Sequence, residues 1–216
     1  VSGINSFMLG AQSVNPDFKV KIIWVNSWYD PGKEADAAKV LLGQGADILV
    51  QHTDSTAPLQ EAEKAGKLGF GQSSDMIKFA PKAQLTANTD DWDPYYVARV
   101  QAVLDGTWKS DDTWGGMKDG MVVLAPFTNM PDDVKKMAED SVAKIKSGEL
   151  HPFTGPITKQ DGTTVGEAGK PLLFCVACGP LYEPYCAYAQ ALGLPVFRSA
   201  DRAVKIYAKY LEYILG

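Results

Sequence analysis

The residues of this sequence best suited to chemistry fall in three short polar and aromatic runs: Asn26-Ser27-Trp28-Tyr29-Asp30, Gln51-His52-Thr53-Asp54-Ser55 and Gln72-Ser73-Ser74-Asp75. Trp28 offers an indole face, and stacking a flat heteroaromatic ring on such a face is worth about 1–3 kcal/mol per base. Its other use is packing with Tyr29 at a sheet edge. Asp54 and Asp75 are acceptors suited to an exocyclic amine or a ring N–H, the paired hydrogen bonding by which base edges are read. Either carboxylate can instead cap a following helix. His52 ends a predicted strand, where it either faces a ligand or serves as a satisfied structural imidazole. Asn26 and Ser73, in the first and third runs, complete the candidate ligand residues.

Other chemistries lack their parts. The two histidines, His52 and His151, lie about a hundred residues apart and leave little for a Ser-His-Asp arrangement. No Gly-x-Ser-x-Gly elbow, phosphate-binding loop or His-Glu-x-x-His occurs. Asp90, Asp91 and Asp93 are dense enough to hold a hard cation, but a solvated loop with Asp93 as a helix cap is the expected reading. The three cysteines, Cys175, Cys178 and Cys186, include one C-x-x-C. It ends a predicted strand before Gly179-Pro180, whereas reactive C-x-x-C thiols open a helix, so inert thiols are expected. A single such pair does not complete a zinc site. No catalytic residue, cofactor or metal is expected.

The elements that must position the three runs are legible from periodicity. Val20-Lys21-Ile22-Ile23-Trp24-Val25 is β-branched and apolar on both faces, as in a buried parallel strand. Asp30-Pro31 then supplies a cap and a first-turn proline for a helix carrying Ala38, Leu41 and Leu42, which Gly45 stops. Ala46–Val50 and Leu68–Gly71 are predicted strands, with a helix from about Pro58 to Ala65 between them. This βαβαβ order predicts a parallel sheet, and ligands of such sheets bind beyond the carboxyl ends of the strands. All three runs follow strands, so they converge on that edge. Further along, Asp93–Gly106 reads as a helix with Val97, Val100 and Leu104 on one face, and Met121–Leu124 as a short strand. Pro131–Gly148 reads as an amphipathic helix with a Val134, Met137, Val142 and Ile145 stripe, and residues 151–170 as a surface loop or hairpin. A strand at Leu172–Val176, a helix around Tyr182–Leu192, a strand at Pro195–Phe197 and a last helix capped by Ser199 make a small αβ tail. The fold class is therefore α/β: a Rossmann-like parallel sheet flanked by helices, residues 1–165, with a small αβ C-terminal unit, residues 166–216.

Composition agrees. The 216 residues are 45% hydrophobic and 22% charged, with a net charge of −5, which suits a folded chain and argues against a nucleic-acid surface. No run of about 18 or more apolar residues provides a membrane span, and no signal peptide opens the sequence.

Several motifs, in order, are together specific: Gly3-Ile4-Asn5-x-Phe7-x-Leu9-Gly10-Ala11, Trp24-Val25-Asn26-Ser27-Trp28-Tyr29-Asp30-Pro31 and Gln51-His52-Thr53-Asp54-Ser55. To these add Ser74-Asp75-Met76-x-x-Phe79-Ala80-Pro81, Val103-Leu104-x-Gly106-Thr107-Trp108 and Leu150-His151-Pro152-Phe153-Thr154-Gly155-Pro156. The series resembles the basic membrane protein family of ABC-transporter solute-binding proteins, the purine-nucleoside receptor group, over about residues 1–165. The resemblance implies a type I periplasmic-binding fold, a purine ligand held between two lobes, an ABC permease as partner, and a periplasmic or membrane-anchored extracytoplasmic location. It also implies that a first lobe preceding Gly3-Ile4-Asn5 is missing. Many members carry an acidic residue, thought to hold ribose, where Ser73 stands, and a basic one where Asp90 falls. Both departures favour a bare nucleobase such as adenine. The tail, through Lys170-Pro171-Leu172-Leu173-Phe174-Cys175 and Gly193–Val204, resembles the flavodoxin-like domain of ADP-forming acyl-CoA synthetases. A CoA- or nucleotide-handling module, or a fusion scaffold that binds nothing, are therefore the alternatives to a binding lobe.

Overall fold

The computed structural model of the chain describes residues 2–159 and 161–165. The three cysteines and the tail elements expected from Leu172 onward lie outside the described residues. The chain divides into two compact units, residues 1–152 and 153–216.

In the first unit, helix α1 (Ser2–Val14) is followed by α2 (Pro31–Gly43), β1 (Ile48–Leu49), α3 (Ala57–Lys64), β2 (Leu68–Gln72) and β3 (Gln84–Asp90). Helix α4 (Asp93–Leu104), β4 (Val122–Leu124) and α5 (Asp132–Ser147) complete it. The sheet order is β1-β2-β3-β4. The first three strands are parallel, with Leu49 opposite Gly69 and Gln72 opposite Asn88, and β4 closes the sheet antiparallel to β3. The expected α/β class, a parallel-dominated sheet flanked by helices, is the one found. In the second unit the described residues form a hairpin, β5 (Ile157–Thr158) with β6 (Thr164–Val165). Asp161 sets its turn by accepting from Thr163 N at 2.9 Å and Thr163 Oγ1 at 2.6 Å.

The local signals act as their chemistry requires. Asp30 caps α2 by accepting from Lys33 N at 3.1 Å, with Pro31 in the first turn. Gly45 takes the left-handed conformation just past the helix, at φ 90°, where a Cβ would be strained. The core is built from Ala38, Leu49, Leu59, Ala62, Met76, Ala80 and Ala83. At Gly69 an added Cβ would lie 2.8 Å from Leu59 Cδ1 and 3.0 Å from Leu49 O, so this glycine is what lets α3 lie tight on the sheet. Burying a side chain such as Leu59 contributes about 1.5–3 kcal/mol.

Two expectations are corrected, and two elements appear that were not expected. Val20–Val25 is not a strand and joins no ladder among the described residues, and Ile22, Ile23 and Trp24 are exposed, Trp24 to 66%. β-branched composition favours a pleated, half-buried surface but does not create one, and among the described residues no neighbouring strand covers the segment. Conversely, β3 was not anticipated, because Gln84-Leu85-Thr86-Ala87-Asn88-Thr89-Asp90 has no β-branched apolar run. Its first five positions nevertheless include buried Gln84, Leu85, Thr86 and Ala87, central between β2 and β4. Helix α1 was also unanticipated, although Ile4, Phe7, Met8 and Ala11 follow helical spacing. Phe7 is the ring that anchors it, edge-on to Phe18 at 6.1 Å and to Phe70 at 6.0 Å. Finally, Asp93 sits inside the first turn of α4 instead of capping it; Trp92 holds the cap position, and Asp91 Oδ1 accepts from Asp93 N at 3.1 Å.

Candidate functional site

The first two polar runs are fastened together. Asp54 N donates to Trp28 O at 2.8 Å, which fixes one loop against the other at the backbone. Beneath this bond lies Glu34 on α2, 1% exposed, a residue the sequence reading did not single out. Its Oε1 accepts from Asp30 N at 2.8 Å, and its Oε2 accepts from Ser55 Oγ at 2.6 Å and Ser55 N at 3.2 Å. One carboxylate thus holds the end of the Trp28 loop and the end of the His52 loop at once. Burial pushes the Glu34 carboxyl up, but bonds from the Ser55 hydroxyl, the Asp30 amide, the Thr53 hydroxyl and the Ser55 amide outweigh it and hold the group below its ordinary value. An acidic residue four positions after the cap of α2 was the signal that could have found it, since such a residue reaches back to the cap amide. Gln51 adds to the brace, its Nε2 donating to Thr53 O at 2.8 Å and Ser55 O at 2.7 Å, while its buried Oε1 has no partner among the described residues.

On this base Trp28 and His52 meet edge to face, ring centroids 5.9 Å apart. Trp28 is 70% exposed and Tyr29 66%, so neither packs into the sheet edge, and the indole is largely open to solvent. Asp54 does not cap α3: Thr56 holds the cap position, and the nearest side-chain acceptor is Ser55 Oγ, which takes Ala57 N at 3.3 Å. The Asp54 carboxylate makes no hydrogen bond or ion pair among the described residues, so it remains an open acceptor. Asn26, exposed and equally unengaged, takes the left-handed conformation at φ 54°. Ser73 does the same at φ 52° and accepts from Gln72 Nε2 at 3.0 Å. Strained non-glycine backbone at two loop positions is the kind of geometry that collects at ligand sites.

Asp75 caps a turn, not a helix. Its Oδ1 accepts from Ile77 N at 3.1 Å and from Gln84 Nε2 at 2.7 Å, while Oδ2 is unengaged among the described residues. The structure thus joins Trp28, His52 and Asp54 in one cluster, and presents Ser73 and Asp75 from the loop after β2. Because β1 and β2 are parallel, the loops carrying His52 and Asp75 leave the same sheet edge.

The chemistry available is recognition by one aromatic face and several acceptors. Every charged group within the three runs, Asp30, Asp54 and Asp75, is acidic. Lys33, just outside, is paired to Asp30 at 3.0 Å. Among the described residues no set of three or more His, Cys, Asp or Glu is placed to hold a metal ion, and Asp90, Asp91 and Asp93 are exposed. Two open clefts, one between α3 and Phe79–Lys82 and one between β4 and α5, share no residue with the three loops. The loops remain the candidate site because they carry the aligned aromatic and acceptor groups.

Residues 1–151 match the family model described as ABC transporter substrate-binding protein PnrA-like, Bmp. Over 170 residues the chain is 70% identical to a purine-binding protein of Brucella abortus, covering 79% of this chain and 49% of that protein. A putative ABC transporter glucose-binding protein of Haloferax volcanii is 33% identical over 156 residues, 72% of this chain and 40% of the relative. Among solved structures, an ABC transporter solute-binding protein of Conexibacter woesei aligns with a TM-score of 0.57 at 24% identity, over 68% of this chain and 50% of that one. That likeness shows the fold. The chain spans about half the length, or less, of these curated relatives.

Proposed function

The chain belongs to the Bmp family, the PnrA-like substrate-binding proteins of ABC transporters, and from that premise we propose that it binds a purine without chemical conversion, as part of the extracytoplasmic receptor of an importer. The observation that carries the reading is the exposed Trp28 face, set beside His52 and held by the Asp54–Trp28 backbone bond, with the open carboxylates of Asp54 and Asp75 on the same sheet edge. An indole stacks on any purine, and carboxylate oxygens accept from its exocyclic amine or ring N–H. The 70% identity to a purine-binding protein supports the same ligand class. Ser73, where many members carry an acidic ribose ligand, favours a bare base over a nucleoside. Residues 1–165 supply this binding face in our reading, with 166–216 as an addition to it. The partner is an ABC permease, to which the receptor delivers its ligand. Titration calorimetry of the chain with adenine, guanine, adenosine and guanosine tests the proposal. Adenine should give the strongest heat, and no heat from any of the four at millimolar concentration would sink it.

A further inference from the structure

Gln84 is the buried polar side chain that the recognition chemistry above leaves unexplained. It opens β3 at 1% exposure, in a core otherwise made of alanine, leucine and methionine. Its amide is fully directed: Nε2 donates to Asp75 Oδ1 at 2.7 Å and Oε1 accepts from Met76 N at 2.9 Å. The reverse orientation would set an amide oxygen against a carboxylate and an N–H against an N–H, so the assignment is forced by the partners. Room for the amide is made by Gly71, where a Cβ would lie 3.0 Å from Gln84 Oε1 and 2.7 Å from Ala87 Cβ. The Gln84 backbone is fastened too, its carbonyl accepting from Asn129 Nδ2 at 2.8 Å and from the Thr128 hydroxyl. The turn at residues 75–79 has bonds of its own, from Ile77 N to Asp75 Oδ1 at 3.1 Å and from Phe79 N to Met76 O at 2.9 Å. A buried glutamine adds a desolvation cost that an aliphatic residue would avoid. What it secures is the direction of an exposed carboxylate.

We infer that Gln84 is a positioning residue for ligand recognition: by holding Asp75 Oδ1 from inside the core, it aims Oδ2 at the exocyclic amine of the bound base. The inference rests on Asp75 being a ligand residue, as proposed above. It makes Gln84 a determinant of specificity, because a fixed acceptor discriminates between a ligand with an amine at that point and one without.

The test is calorimetric titration of the full chain with two probes, adenine and unsubstituted purine, which lacks the exocyclic amine. Gln84→Met, of similar volume without the amide, should weaken adenine about tenfold while changing purine by less than about threefold. Gln84→Leu, which also removes the donor without adding a charge, should do the same, and serves if the methionine variant does not fold. In the Asp75→Asn background, Gln84→Met should cost no further adenine affinity, since it acts through that carboxylate. Equal losses for both probes, or fully additive losses in the double variant, would assign Gln84 a structural role and overturn the inference. Should Asp75→Asn weaken adenine while neither Gln84 variant does, positioning fails and the functional reading stands. Should Asp75→Asn leave adenine unchanged, both fail at Asp75.

Discussion

Glu34 is a buried carboxylate whose charge is stabilised by hydrogen bonds and the α2 N-terminus instead of by a cation, and it carries a definite pH signature. Its bonds to the Ser55 hydroxyl and to the Asp30 and Ser55 amides leave the folded-state pKa below the ordinary 4.5. A lowered acid contributes stability that is fully present above the unfolded value and is lost as pH falls through the folded one. Glu34→Gln should therefore cost about 1–3 kcal/mol at pH 7, by leaving the Ser55 donors unmatched. The gap to the parent protein should narrow as pH falls below about 4.5. Urea denaturation at pH 7 and pH 4 reads both quantities; a gap that widens in acid would be the wrong sign. At Trp28 the expectation concerns ligand, not stability, because the side chain is 70% exposed. Trp28→Ala should weaken adenine by about 1–3 kcal/mol, on the order of tenfold, with Trp28→Phe intermediate and both melting near the parent temperature. The aromatic and acidic residues of the candidate site could be proposed from sequence because their types announce their chemistry. Glu34 gave only a local hint toward Asp30, and its link to Ser55 and that of Gln84 to Asp75 span 21 and 9 positions, where the sequence does not show them.

Among the elements, α4 and α5 separate what periodicity encodes from what it does not. Both helices form close to where their apolar spacing and caps place them, α5 ending at left-handed Gly148. Yet neither buries a residue among those described: Val97 is 69% exposed, Val100 61% and Leu104 75%. A stripe at helical spacing states which residues share a face, and tertiary neighbours decide whether that face is covered. The same distinction explains the misassigned segment at 20–25 and the missed β3, where covering neighbours, not composition, set the outcome. An exposed stripe contributes little, so Val100→Glu and Leu104→Glu should each change the unfolding free energy by no more than about 0.5 kcal/mol. Leu59→Ala, in the core under α3, should cost about 2–5 kcal/mol. Denaturant titration of the three variants compares them directly, and a loss above about 2 kcal/mol for either α4 variant would show that this face is covered in solution.

For the molecule as a whole, the issue is how much of a ligand these loops can enclose. Tight small-molecule sites bury some 70–90% of the ligand. Trp28 and Tyr29, at 70% and 66% exposure, offer one wall, and the acceptors Asp54 and Asp75 are exposed as well. One stacked face plus one or two charged hydrogen bonds must first offset the cost of association, so a Kd of about 1 mM or weaker is expected. The charge pattern adds a direction. With Asp30, Asp54 and Asp75 in the three runs and a net charge of −5, the surface opposes further negative charge on the ligand. Of a series of adenine, adenosine and AMP, the nucleotide should therefore bind weakest, and its deficit relative to adenosine should shrink as salt rises from 20 to 500 mM, as screening over about a Debye length requires. Calorimetry across the series checks both claims. A Kd below about 1 μM for adenine would mean that a second wall closes on the base, and AMP binding as well as adenosine at low salt would mean that a cation outside the three runs reaches the site.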